Sequence, residues 1–294
     1  MLSNFNFIKW LYFSLLVIMF GSAFYFIEIS LFSFTPLQIA FYRVFIASIM
    51  LTIYSLLNNY RFNFIKKNFI LLFILGLSGT SIPFFLISWA QITISSSETG
   101  ILIGFMPLFT IIGSHYIFKY EKLNFWKILG FVIGFIGLFI LLFNNNDSTH
   151  YLSNMLSKLA VIFGAFFYAL NALLVKKIKN VNVIPLSAVV MIFSSIQLLA
   201  LFPFMEETNI LFQNYELRSL LSLIIMGIFS TALATVIYYK IINDYGPNFL
   251  SLVNYPIPVF AFFVGVIFLN ENISFYSIVS LLLVIVAIYV SQKK

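Results

Sequence analysis

The stretch Leu252–Ser274 reads LVNYPIPVFAFFVGVIFLNENIS. It is apolar enough to lie within a bilayer, yet Pro256 and Pro258 stand near its start, directly after Asn254 and Tyr255. A proline inside a helix removes a backbone hydrogen bond and crowds the preceding turn. In hydrocarbon, irregular backbone is tolerated only where it is buried in protein or lines a water-filled cavity. The stretch therefore reads as a membrane helix broken beside a cavity. The same pattern occurs 151 residues earlier, where Pro107-Leu108-Phe109 stands in the place of Pro258-Val259-Phe260.

The rest of the chain is of the same kind. Of its 294 residues, 62% are hydrophobic and 9% charged, which leaves too little polar surface to cover a soluble core of this size. Ten apolar runs have lengths near the ~20 residues that cross a bilayer: 10–32, 37–57, 68–90, 98–118, 126–143, 157–177, 184–205, 219–240, 247–269 and 275–291. The run at 10–32 is longer than a signal-peptide core and has no A-x-A site after it, so it reads as a retained helix.

The formal net charge of +7 is explained by orientation in the membrane rather than by nucleic acid. With the N-terminus inside, the inner loops and tails hold Lys9, Arg61, Lys66, Lys67, Lys119, Lys122, Lys127, Lys176, Lys177, Lys179, Lys240, Lys293 and Lys294. The outside holds only Lys158 and Arg218, with Asp147, Glu206, Glu207 and Glu216. Both termini are predicted to be cytoplasmic. Cysteine is absent and only two histidines occur, so no metal, cofactor or catalytic residue is predicted. No Walker loop, H-E-x-x-H or G-x-S-x-G is present.

The chain also repeats itself. Gly76-Leu77-Ser78-Gly79-Thr80 aligns with Gly227-Ile228-Phe229-Ser230-Thr231 at the same offset of 151. Phe20-Gly21-Ser22-Ala23-Phe24-Tyr25 resembles Phe163-Gly164-Ala165-Phe166-Phe167-Tyr168, and Pro36-Leu37 pairs with Pro185-Leu186. Each repeat holds five helices, 10–143 and 157–291. An odd number turns the second copy upside down, an arrangement typical of secondary transporters. The predicted fold is all-α: ten transmembrane helices in two inverted five-helix repeats around a central cavity.

These residues resemble the EamA-type members of the drug/metabolite transporter superfamily. The resemblance rests on Phe20-Gly21-Ser22-Ala23-Phe24, Pro36-Leu37 with Arg43, Ile82-Pro83-Phe84, Pro107-Leu108-Phe109-Thr110 and Tyr120-Glu121-Lys122-Leu123. In the second half it rests on Ser230-Thr231-Ala232-Leu233-Ala234, Pro258-Val259-Phe260 and Leu269-Asn270-Glu271-Asn272-Ile273. It implies ATP-independent movement of small metabolites, with export of amino acids or related compounds among the family's activities. The family's usual Gly before the second-half glutamate is Asn270 here, and the following Arg is Asn272.

Charge inside a membrane is costly, so polar residues there are candidates. Glu28 reads either as a pathway residue or as an interfacial carboxylate. Arg43 reads as an attractor of an anionic group, a partner of Glu28, or a structural residue that snorkels to the outer headgroups or orients its helix, the structural reading being favoured. Tyr168, Asn171, Asn254 and Tyr255 are predicted to line the substrate pathway, with Pro107 and Pro258 as helix breaks for gating. His115 reads as a hydrogen-bonded helix contact, Glu98 as a helix cap, and Gly130, Gly134 and Gly137 as a packing stripe. The expectation is a multi-pass protein of the bacterial inner membrane, monomer or weak homodimer. It would move a small polar metabolite, most readily outward, by alternating access. An uptake or exchange carrier, or a membrane enzyme or sensor without transport, are the alternatives.

Overall fold

A computed structural model gives the fold and describes residues 2–118, 124–143, 151–178, 180–204, 215–253, 256–271 and 274–291. The helices are α1 (Leu2–Ser30), α2 (Pro36–Leu57), α3 (Phe64–Gly76), α4 (Ile82–Ala90), α5 (Ser96–Ile103), α6 (Met106–Phe118) and α7 (Phe125–Phe143). They continue as α8 (Tyr151–Val175), α9 (Val183–Leu199), α10 (Leu217–Ile225), α11 (Ala234–Val253), α12 (Pro256–Leu269) and α13 (Phe275–Ser291). No strand occurs among the described residues. Local signals set several starts. Thr35 and Gln38 form a reciprocal capping box ahead of Pro36, and Asn182 caps α9 through the Ile184 amide.

Among the described residues, eight helical stretches are long and apolar enough to cross a membrane, from Ile8–Ser30 to Leu217–Tyr245, and α12 and α13 are shorter apolar helices. Large apolar side chains such as Leu57, Phe69, Ile70, Phe135, Phe139 and Leu282 stand on the outer surface, as a bilayer requires.

Two boundaries depart from the sequence reading. α8 begins at Tyr151 rather than near 157, which carries Lys158 two turns into the helix. Lys158 is not an exposed outside residue. It is 1% exposed, donates to the Leu141 carbonyl at 2.7 Å and lies 3.7 Å from Glu98. The expected loop at 241–246 is helical, because α11 runs unbroken to Val253. A Lys240–Asp244 pair at 3.1 Å, one turn apart, supports that helix.

Helix starts fall at matching places. α6 starts at Met106 and α12 at Pro256, 150 residues on. Pro107, Pro256 and Pro258 all occupy the first turn of a new helix, where a backbone N–H has no intrahelical acceptor to lose. The prolines therefore begin helices rather than damage them.

Two π-helical turns interrupt the bundle, Leu77–Ser81 between α3 and α4 and Met226–Leu233 between α10 and α11. They are the two copies of the Gly76–Thr80 and Gly227–Thr231 repeat. Such widened turns are rare and concentrate at functional sites.

Packing runs largely between the halves. α2 lies on α9, α4 on α8, α5 on α12 and α7 on α13, while α1 meets α10, α11 and α12. The glycine stripe of α7 is used inside the molecule. A Cβ at Gly130 would stand 2.5 Å from the Ala287 carbonyl oxygen and 2.7 Å from Ser291 Cβ, both on α13.

A carboxylate joins the halves at α5. Asn270 has φ 52°, the left-handed conformation that glycine and asparagine tolerate after a helix end. This explains why asparagine stands where the related family carries glycine. The turn folds Glu271 back onto the start of α5. There its Oε1 accepts from the Ser96 amide at 2.8 Å and the Ser96 hydroxyl at 2.7 Å. Its Oε2 accepts from the Ser97 amide at 3.1 Å and from the Ser97 hydroxyl. A negative charge here also complements the helix dipole.

Two outcomes are expected from thermal unfolding of the purified protein in detergent. Glu271→Ala should lose about 1.5–3 kcal/mol, the scale of hydrogen bonds to a charged group, with Glu271→Gln falling between it and wild type. Gly130→Ala should lose about 1–3 kcal/mol by overpacking against α13 backbone. An unchanged midpoint in either case contradicts the corresponding contact.

Candidate functional site

A cavity opens among the helices, lined from both halves of the chain. α1 contributes Phe20, Ala23, Phe24 and Ile27, an i, i+3, i+4, i+7 face. The first π turn contributes Gly79 and Thr80, α4 gives Phe84 and Ile87, and the α5/α6 break gives Ile103 and Met106. From the second half come Tyr168 and Asn171 of α8, Thr235, Tyr238 and Tyr239 of α11, and Ile257 of α12. Arg43 of α2 is the single charged side chain among these lining residues.

The polar groups are held by the π turns. A π turn shifts the helical ladder and leaves carbonyls needing donors. In the first turn, the Asn171 amide donates to the Leu75 carbonyl at 3.0 Å. The Thr80 hydroxyl donates to the Gly76 carbonyl at 2.8 Å and is hydrogen-bonded to the Ser194 hydroxyl of α9. Ser81 donates to Gln197 at 2.6 Å, and Gln197 donates to the Phe73 carbonyl at 2.9 Å. Thus Asn171, Ser194 and Gln197, all of the second half, complete the first-half turn. Gly79 permits this approach: a Cβ there would lie 2.5 Å from Asn171 Nδ2.

The second turn is completed in the opposite sense. Arg43 Nε, from the first half, donates to Thr231 Oγ1 at 3.0 Å. The Thr231 hydroxyl donates to the Met226 carbonyl at 2.9 Å. The guanidinium lies over the Phe84 ring, 3.6 Å from its centroid, and Tyr168 meets the same ring edge-on at 6.4 Å. Arg43 is 3% exposed.

The structure thus brings Arg43, Tyr168 and Asn171 to one cavity. Glu28 is not among the lining residues. It is half-buried on the neighbouring face of α1, where Gln91 Nε2 donates to it at 3.3 Å and to the Phe24 carbonyl at 3.0 Å. Arg43 and Glu28 form no ion pair. Pro107 and Pro258 are buried at their helix starts, Pro258 against Gly104, and neither lines the cavity. Asn254 and Tyr255 lie outside the described residues, as does Glu121. His115 closes α6 away from the lining.

Sequence reasoning did not single out Tyr238 and Tyr239, which line the cavity. Thr231, Thr235 and Tyr239 recur at intervals of four, which puts them on one helical face. That spacing from the repeat threonine was the available signal. Glu98 was read as a cap; the Ser95 hydroxyl supplies the cap, accepting from the Glu98 amide at 3.2 Å, and the carboxylate faces Lys158.

Comparison with known proteins agrees with this architecture. The family model described as the EamA-like transporter family matches residues 8–143 and again 155–292. Among relatives, an "Uncharacterized transporter" of Archaeoglobus fulgidus is 26% identical over 286 residues, covering 97% of this chain and 99% of that protein. "Uncharacterized transporter YdfC" of Bacillus subtilis is 24% identical, covering 88% of this chain and 82% of that protein. A solved crystal structure shares the fold with a TM-score of 0.66 at 16% identity, covering 96% of this chain and 95% of that chain. The chain belongs to the EamA-like transporter family, within the drug/metabolite transporter superfamily.

Proposed function

We propose that this protein is a secondary transporter that carries a small polar metabolite, an amino acid or a related compound, out across the bacterial inner membrane by alternating access. The observation that carries the proposal is the central cavity. It lies within segments long and apolar enough to span a bilayer, is walled by both halves of the chain, and holds the Arg43 charge beside neutral hydrogen-bonding groups. The family and the transporter names of its relatives favour transport over catalysis.

In this reading residues 10–143 and 157–291 are two inverted repeats, with 247–269 and 275–291 as the ninth and tenth crossings and both termini cytoplasmic. The pairing scheme supports a two-fold relation. The contacts of α4 with α8 and of α10 and α11 with α1 exchange when the halves exchange, as do those of α1 with α12 and α8 with α6. Repeats that meet at a midplane site can rock to open it on either side. The solute would sit among Arg43, Tyr168 and Asn171, with Asn254 and Tyr255 proposed as further pathway residues, and the breaks near Pro107 and Pro258 would take up the bending. Glu28 is proposed to guard the outer approach.

Counterflow in proteoliposomes, with a panel of labelled amino acids and small organic acids, tests the activity. The expected result is saturable accumulation of at least one class; no flux of any member sinks the proposal. The chain has no native cysteine, so single cysteines report cleanly. Cysteines at Asn171 and Thr235 are expected to react with a small impermeant thiol reagent from one face and to be protected by a transported solute. Inertness from both faces in every condition contradicts the pathway.

A further inference from the structure

The cavity's charge inventory is lopsided. Arg43 is 3% exposed and lines the cavity, and among the described residues only Nε has a hydrogen-bond partner, the neutral Thr231 hydroxyl. The Phe84 face adds a cation–π contact, which offsets only part of the cost of a desolvated charge. No aspartate or glutamate is among the lining residues. Glu28 is engaged with Gln91, Glu98 faces Lys158, and Glu271 caps α5. A buried cation without an anionic partner is strongly unfavourable. Its outer guanidinium nitrogens form a planar fork suited to two carboxylate oxygens.

The remaining wall has the opposite character. Phe20, Phe24, Ile27, Met106 and Ile257 are apolar, and the phenols of Tyr168, Tyr238 and Tyr239 and the Asn171 amide are neutral. An ammonium group would find aromatic faces but no carboxylate. We infer that the solute class is an organic monocarboxylate with an aromatic or branched apolar body and no required positive charge. Its carboxylate docks on the Arg43 fork and its body lies on the α1 and α6 face. This rests on the reading of the cavity as the solute site and narrows it, since an amino acid would be recognised through its carboxylate and side chain, with its ammonium contributing little.

Three solutes with one phenyl body separate the charges: 3-phenylpropionate, L-phenylalanine and 2-phenylethylamine. Each is tested for inhibition of counterflow, and for raising the thermal midpoint of purified protein in detergent. The expected order of potency is 3-phenylpropionate at least equal to L-phenylalanine, with 2-phenylethylamine weaker by about 10- to 100-fold, the scale of a lost hydrogen-bonded charge pair. Arg43→Gln should abolish the preference for the carboxylate, while Arg43→Lys should keep its sign with reduced affinity. If Arg43→Gln does not fold, the wild-type order and Arg43→Lys still decide. Equal or better potency of 2-phenylethylamine, or an Arg43→Gln protein with unchanged preference, overturns the inference. Flux confined to cationic or neutral solutes would overturn it while leaving transport standing, whereas absence of all flux would remove the transporter reading itself.

Discussion

The structure depends on one constraint. Backbone polar groups at membrane depth have no water to turn to, so every irregular turn there must be satisfied by protein. This chain places two π-helical turns in its spanning segments, and each is completed by side chains from the other half. Asn171, Ser194 and Gln197 serve the first turn; Arg43, through Thr231, serves the second. The halves are thereby tied through polar contacts beside the cavity, which the first turn lines with Gly79 and Thr80. The fold and the candidate site thus share one cause.

Much of this was legible in the sequence. The two glycine–threonine copies at an offset of 151 marked the π turns, although the pattern alone did not say that the helix would widen there. The repeated prolines marked helix starts, because proline is cheap only in a helix's first turn. Tyr168 and Asn171 could be singled out because polar groups deep in an apolar run need a reason. What could not be read were the partners. Glu271 and Ser96 are 175 residues apart, and Arg43 and Thr231 are 188. No local periodicity encodes such pairs. The burial of Lys158 was hidden for a related reason: a lysine near the start of an apolar run reads as an interface residue until Glu98 and the Leu141 carbonyl appear beside it.

Five charged residues within the helical bundle, among the described residues, divide into two groups with different work. Glu28, Glu98, Lys158 and Glu271 sit on the elements around the start of α5, where each has a named partner among Gln91, the α5 amides and one another. They hold α1, α5, α8 and α12 in place. Arg43 stands apart in the cavity with a hydroxyl and an aromatic ring for company. A satisfied charge is a structural joint; an under-satisfied one in an open space is an invitation to a ligand.

The central claim is that the solute occupies the cavity between the two π turns. A structure of the protein with a transported solute bound tests it most directly. The account predicts solute density between the Arg43 guanidinium and the Asn171 amide, flanked by Phe84 and Tyr168. Density beside Glu28, Glu98 and Lys158 instead, with the central cavity unchanged, would contradict it.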